Sequence, residues 1–116
     1  MDEKRETTMM IVTTPTIPGK RIKLTHGLVR GNTIRARHIG KDIGALFKNI
    51  VGGEIKAYGQ LLEQSREEAL TRMMDDANEL GANAVVAVRF ATSVIMGGAA
   101  EMLAYGTAVT IEDEES

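Results

Sequence analysis

Only four aromatic side chains, Phe47, Tyr58, Phe90 and Tyr105, are on hand to fill the interior of this 116-residue chain, and neither tryptophan nor cysteine joins them. That scarcity limits what the chain can fold into more than any motif does. The core has to be made from Val, Ile, Leu, Met, Ala and Gly, of which the smallest bury little area but let backbones approach closely. The length fits one domain. A domain of this size buries a modest share of its surface, so self-association is the expected way to cover what the core cannot. Without cysteine the chain has no disulfide, no thiolate nucleophile and no thiolate metal site.

The formal charge of -2 is unevenly spread. From Lys20 to Lys48 eight bases (Lys20, Arg21, Lys23, Arg30, Arg35, Arg37, Lys41 and Lys48) stand against one acid, Asp42, so the segment is +7 and the remainder -9. Complementary surfaces meeting within or between subunits account for this division. Nucleic acid is not an expected partner, because the bases lack interleaved stacking aromatics and form no recognisable nucleic-acid motif. No apolar run approaches the roughly 20 residues of a membrane span. The opening MDEKRETTMM lacks the apolar core of a signal peptide. A cytoplasmic location without a membrane partner is therefore expected.

Residues 1–9 read as a flexible extension, with Met10 an alternative start, and residues 10–111 as a single domain. The β-prone run Ile11-Val12-Thr13-Thr14 is stopped by Pro15, Pro18 and Gly19. Ile22, Leu24, His26 and Leu28 alternate with Lys23, Thr25 and Gly27, the period of a half-buried strand. Gly31-Asn32 then reads as a tight turn or a bulge, in one long bent strand or a hairpin that resumes over Thr33–Arg37. A short helix is expected over 42–51, where Ile43, Leu46, Phe47 and Ile50 share one side. A long helix follows to Leu80, its stripe being Tyr58, Leu61, Leu62, Ser65, Ala69, Met73, Ala77 and Leu80, with Gly81 as its cap.

Val85–Phe90 has the β-branched density of a buried strand, and a turn at Met96-Gly97-Gly98 leads to a last strand from Glu101 to Ile111. There Leu103, Tyr105, Val109 and Ile111 face one way. Met102, Ala104, Gly106 and Ala108 face the other, a nearly flat side suited to a closely packed helix or neighbouring chain. Ala104, Gly106 and Ala108 are the expected oligomer interface. Residues 112–116 read as an acidic tail. The whole is an α+β layer: a mainly antiparallel sheet packed on one long helix.

Several motifs in order resemble the YbjQ-like family: Met10-Ile11-Val12-Thr13-Thr14, Asn49-Ile50-Val51-Gly52-Gly53, Ser65-Arg66-Glu67-Glu68-Ala69, Leu80-Gly81-Ala82-Asn83-Ala84-Val85-Val86 and Tyr105-Gly106-Thr107-Ala108-Val109. The resemblance covers roughly residues 10–111. It implies a dodecin-like βαββ subunit that assembles into a ring-shaped pentamer. The family carries a heavy-metal-binding label and no established activity.

The residues give that label little to work with. A soft-metal site asks for Cys, Met or clustered His, and the two histidines, His26 and His38, stand 12 apart. His38 with Asp42 would supply two ligands, where zinc takes three or four, so symmetry-related copies would have to complete the set. Arg35, Arg37, His38 and Lys41, just before the expected short helix, are the better ligand candidates, for an anion at a helix start. Gly52-Gly53 has neither the Lys-Ser/Thr ending nor the preceding strand of a phosphate loop. Arg89, inside an apolar strand, is expected to pair with Glu101 across a hairpin centred near Ile95. No nucleophile, base and acid set stands out, so no catalytic residue and no cofactor are assigned. The reading is a homo-oligomer with a binding or scaffolding role, the alternatives being a metal- or anion-binding module in the 35–42 segment, or an enzyme with an intersubunit site.

Overall fold

The computed structural model describes residues 9–35, 54–95 and 99–115. Its elements are β1 (Met10–Ile11), β2 (Lys20–Arg35), α1 (Glu54–Glu79), β3 (Ala84–Ile95) and β4 (Ala99–Asp113). They form an open four-stranded sheet in the order β1-β3-β4-β2, with β1 parallel to β3 and the other two pairs antiparallel. The fold is α+β, as the sequence leads one to expect, with a mixed sheet. The short helix expected over 42–51 falls outside the described residues.

Helix α1 buries Ser65, Ala69, Met73 and Ala77, one residue per turn along a single line. The acids Glu63, Glu67, Asp75 and Glu79 are exposed. The line lies on the sheet with Val29, Val85, Val88, Ala104 and Ala108, and the largest fully buried side chains are Met73, Val29, Val85 and Val109. Among the described residues no aromatic belongs to either buried cluster, so the core they form is built from aliphatic and small side chains. Leu62 and Leu80, assigned to the stripe, are exposed at the margins of the contact.

The helix ends where Gly81 adopts φ +84°. The Gly81 N–H donates to Asn78 O and the Ala82 N–H to Ala77 O, 3.0 and 3.1 Å, which satisfies two carbonyls of the last turn. Ala77 and Ala82 meet in the same cluster. An alanine forced into this left-handed conformation costs about 1–2 kcal/mol. Gly81→Ala is therefore expected to lower stability by that amount in urea unfolding while leaving the helical circular dichroism intact.

Gly31 is not in a turn. It pairs with Ala104 in the middle of β2, and a Cβ built on it would lie 2.2 Å from Met73 N and 2.4 Å from Ala69 O. The helix backbone rests on the strand backbone there, which only glycine permits. β2 is thus one long strand rather than a hairpin, bent by register irregularities between Ile22 and Leu24 and between Thr25 and Gly27. The half-buried pattern expected from Ile22, Leu24 and Leu28 is not found: these three are exposed, as are Lys23 and Thr25, and the inward positions are Val29, Gly31 and Thr33 further along the strand.

The flat side of β4 faces the chain's own helix. Ala104 and Ala108 are fully buried among Ala69, Met73 and Ala77, so within one chain they are not available to a partner. Gly106 answers a different need. β3 carries a bulge between Val86 and Arg89, with Ala87 at φ 55°, and a Cβ on Gly106 would meet Val85 Cγ1 at 2.7 Å and Val88 Cγ2 at 3.2 Å. Two residues of β3 oppose one of β4 at this point, and the missing side chain makes the room.

Candidate functional site

The inner face of the sheet is covered by α1, and the outer face divides in two. At one end Ala84, Val86 and Val109 are buried beneath Val12 and Ile17, from the segment that follows β1. Backbone bonds hold this strap to β3: Val12 N–H to Val85 O, Val88 N–H to Val12 O and Ala87 N–H to Thr14 O, 2.9–3.0 Å. Arg89 adds a fourth tie, its Nη1 donating to Thr13 O at 2.9 Å.

The expected Arg89–Glu101 pair is therefore not formed. Strand pairing continues to Ile95 opposite Ala99, which puts Arg89 across from Tyr105 and Ser93 across from Glu101. Glu101 accepts instead from Asn32 Nδ2 at 2.9 Å.

Beyond the strap the outer face is open. Its cross-strand rows run Leu28–Thr107, then Arg30–Tyr105–Arg89, Asn32–Leu103–Ala91 and Ile34–Glu101–Ser93. Leu28 is 63% exposed and Ile34 54%, Ala91 is exposed, and Leu103 and Tyr105 are half-buried. Alternation along β2 forces this arrangement: with Val29, Gly31 and Thr33 turned to the helix, Leu28 and Ile34 turn away from it. The sequence carries the signal in its alternation, but a period of two does not say which face a helix will choose.

Of the assigned ligand residues, Arg37, His38, Lys41 and Asp42 lie outside the described residues, and Arg35 ends β2 opposite Ala100. His26, the other histidine, sits against Thr110, with 2.7 Å between Nε2 and Oγ1. Among the described residues no three His, Asp or Glu side chains gather to hold a metal ion. A cleft of about 50 Å³ opens beside the helix, between Thr33, Leu62, Ser65, Thr92 and Met102, room for a water molecule or two.

Part of the charge division is resolved inside the chain. Arg21 pairs with Glu112, Lys23 lies 4.0 Å from the same carboxylate, and Lys20 Nζ reaches Asp113 Oδ1 at 2.5 Å. The hydrogen bond from Lys20, and then its charge, hold the Asp113 carboxyl below the usual aspartate value. Glu112 and Asp113 thus belong to β4 rather than to a tail. No helix among the described residues is long and apolar enough to cross a membrane.

Comparison with known proteins matches residues 9–112 to the YbjQ_1 family model, described as "Putative heavy-metal-binding". A UPF0145 protein of Clostridioides difficile is 57% identical over 108 residues, covering 93% of this chain and 96% of the relative. UPF0145 proteins of Methanosarcina acetivorans and Pyrococcus furiosus are 56% and 55% identical, covering 89% and 92% of the chain and 97% and 94% of the relatives. A crystal structure of a DUF74-family protein of unknown function from Pediococcus pentosaceus shares the fold, with a TM-score of 0.60 at 18% identity, covering 90% of this chain and 98% of that one.

Proposed function

The chain belongs to the YbjQ_1 family, and we propose that it works as a homo-oligomer whose role is binding or scaffolding where subunits meet. The carrying observation is the open outer face, where Leu28 and Ile34 are 63% and 54% exposed beside Leu103 and Tyr105. A helix covers one face of the sheet and the strap covers part of the other, so a second copy is the natural cover for what is left. The ring-shaped pentamer implied by the family resemblance is the assembly we favour. The alternative reading is a metal- or anion-binding module that uses the 35–42 segment, with symmetry-related copies completing the ligand set.

Light scattering in moderate salt is expected to return several times the 12.6 kDa chain mass. Exposed ion pairs are worth roughly 0–1 kcal/mol each, so apolar burial supplies most of the association energy. Raising salt to about 1 M, where the screening length is roughly 3 Å, should leave the mass unchanged. Leu28→Glu should reduce it to that of a folded monomer. A wild-type monomer, or an assembly that salt dissolves and Leu28→Glu does not, would overturn this reading.

A further inference from the structure

Of the four cross-strand rows on the open outer face, only Arg30–Tyr105–Arg89 carries positive charge. Neighbouring strands lie about 4.8 Å apart, so Tyr105 stands midway between two arginines whose Cα atoms are about 10 Å from one another. Both arginines are exposed and Tyr105 is half-buried. Among the described residues neither guanidinium belongs to an ion pair. Glu101 is the nearest acid along β4, about 13 Å from Tyr105 at the rise of a strand, and it accepts from Asn32 Nδ2.

The backbone places Arg89 in this row. Val85 faces the helix and Val86 the outer side, so plain alternation from them would turn Arg89 toward the core. The extra residue of the bulge, Ala87 at φ 55°, reverses the alternation, and Val88 goes in while Arg89 goes out. A left-handed conformation is unfavourable for alanine, and strain of this kind gathers where function requires an orientation. Once outside, the guanidinium is held through Nη1, which donates to Thr13 O and to Val88 O at 2.9 Å. Nε and Nη2 keep their N–H groups for a ligand. That side of a guanidinium is a fork that grips two oxygens of one phosphate or carboxylate. Arg30 adds a second cation, whose side chain makes no hydrogen bond among the described residues.

We infer that this row binds an anion carrying a planar ring, of the mononucleotide class. The ring stacks on Tyr105, and the phosphate sits in the Arg89 fork with Arg30 as the second positive charge. The inference deepens the binding role proposed above and rests on it in one respect. A second copy laid over Leu28 and Ile34 also covers the Arg30–Tyr105–Arg89 row between them. Covering two cations without a counter-charge is costly, and an anion held in the row removes that cost. An inorganic ion would leave Tyr105 unused. One ring stacks one base, which favours a single nucleotide over a strand of nucleic acid.

Calorimetric titration of the full chain with adenosine monophosphate, adenosine and inorganic phosphate tests this. The monophosphate should bind saturably and at least about 10-fold more tightly than either fragment, since each fragment engages only part of the row. Tyr105→Leu and Arg30→Gln should each weaken it by about 10-fold or more. Both should keep the far-ultraviolet circular dichroism, because neither side chain has a hydrogen bond among the described residues. An oligomeric wild type that does not bind the monophosphate overturns the inference and leaves the homo-oligomeric reading standing. Phosphate that binds as tightly as the monophosphate also overturns it, as does a folded variant of either kind with unchanged affinity. A monomeric wild type overturns the homo-oligomeric reading, and the same titration still decides the ligand.

Discussion

Gly31→Ala is expected to prevent the chain from accumulating in its native state. The added Cβ would lie 2.2 Å from Met73 N, 2.4 Å from Ala69 O and 2.7 Å from Arg72 C. All three are backbone atoms, so no rotamer change relieves the clash. The helix would have to rise from the strand along the line of Ser65, Ala69, Met73 and Ala77, opening space beneath side chains that are now fully packed. Overpacking a tight site costs about 1–3 kcal/mol when neighbours can adjust. Here they cannot, and a loss above about 4 kcal/mol, within a total of roughly 5–15, is the expected scale. Gly106→Ala meets two valine side chains and one carbonyl oxygen, so it should cost less. Urea unfolding of both variants at one fixed protein concentration makes the comparison, since an oligomer's stability depends on concentration. Equal and small losses would show that the helix does not sit on the strand in this way.

Ala108→Glu should be comparably severe, and its contrast with Leu28→Glu separates folding from assembly. Ala108 is fully buried in a cluster of nine residues that contains no polar group. A carboxylate placed there has no basic partner, and breaking even an existing buried pair to leave one charge alone costs about 3–5 kcal/mol. Loss of the native circular dichroism is expected at any concentration. Leu28, on the opposite face and 63% exposed, accepts a carboxylate without harm to the single chain, so Leu28→Glu should lose mass and keep its fold. If Ala108→Glu gave a folded monomer instead, the flat side of β4 would be a subunit interface after all, and the helix would lie elsewhere.

Several features of the fold are legible without coordinates because they depend on local chemistry. The long helix follows from a stripe that recurs every three or four residues, and its end from Gly81, where φ +84° suits glycine. The aliphatic core of the described residues follows from having so few aromatic residues to bury. Arg89 shows where local reading stops. Its expected partner depended on the centre of a hairpin, and strands that stay paired out to Ile95 and Ala99 put it opposite Tyr105. A shift of one or two residues changes every cross-strand neighbour, and no property of Arg89 itself announces it.

The sequence by itself determined the class of the fold, the span of the long helix, the material of the core and the family to which the chain belongs. Each is written in periodicity, in residue size or in motifs that are contiguous along the chain. Only the tertiary structure decided which face of each strand the helix would cover. Gly31 and Ala104, paired across β2 and β4, drew the helix onto the flat side and left Leu28 and Ile34 facing outward. A strand's alternation is the same whichever face is buried. The choice between them is made by the one place where two backbones can touch, and that place exists only once residues 31, 69, 73 and 104 have been brought together.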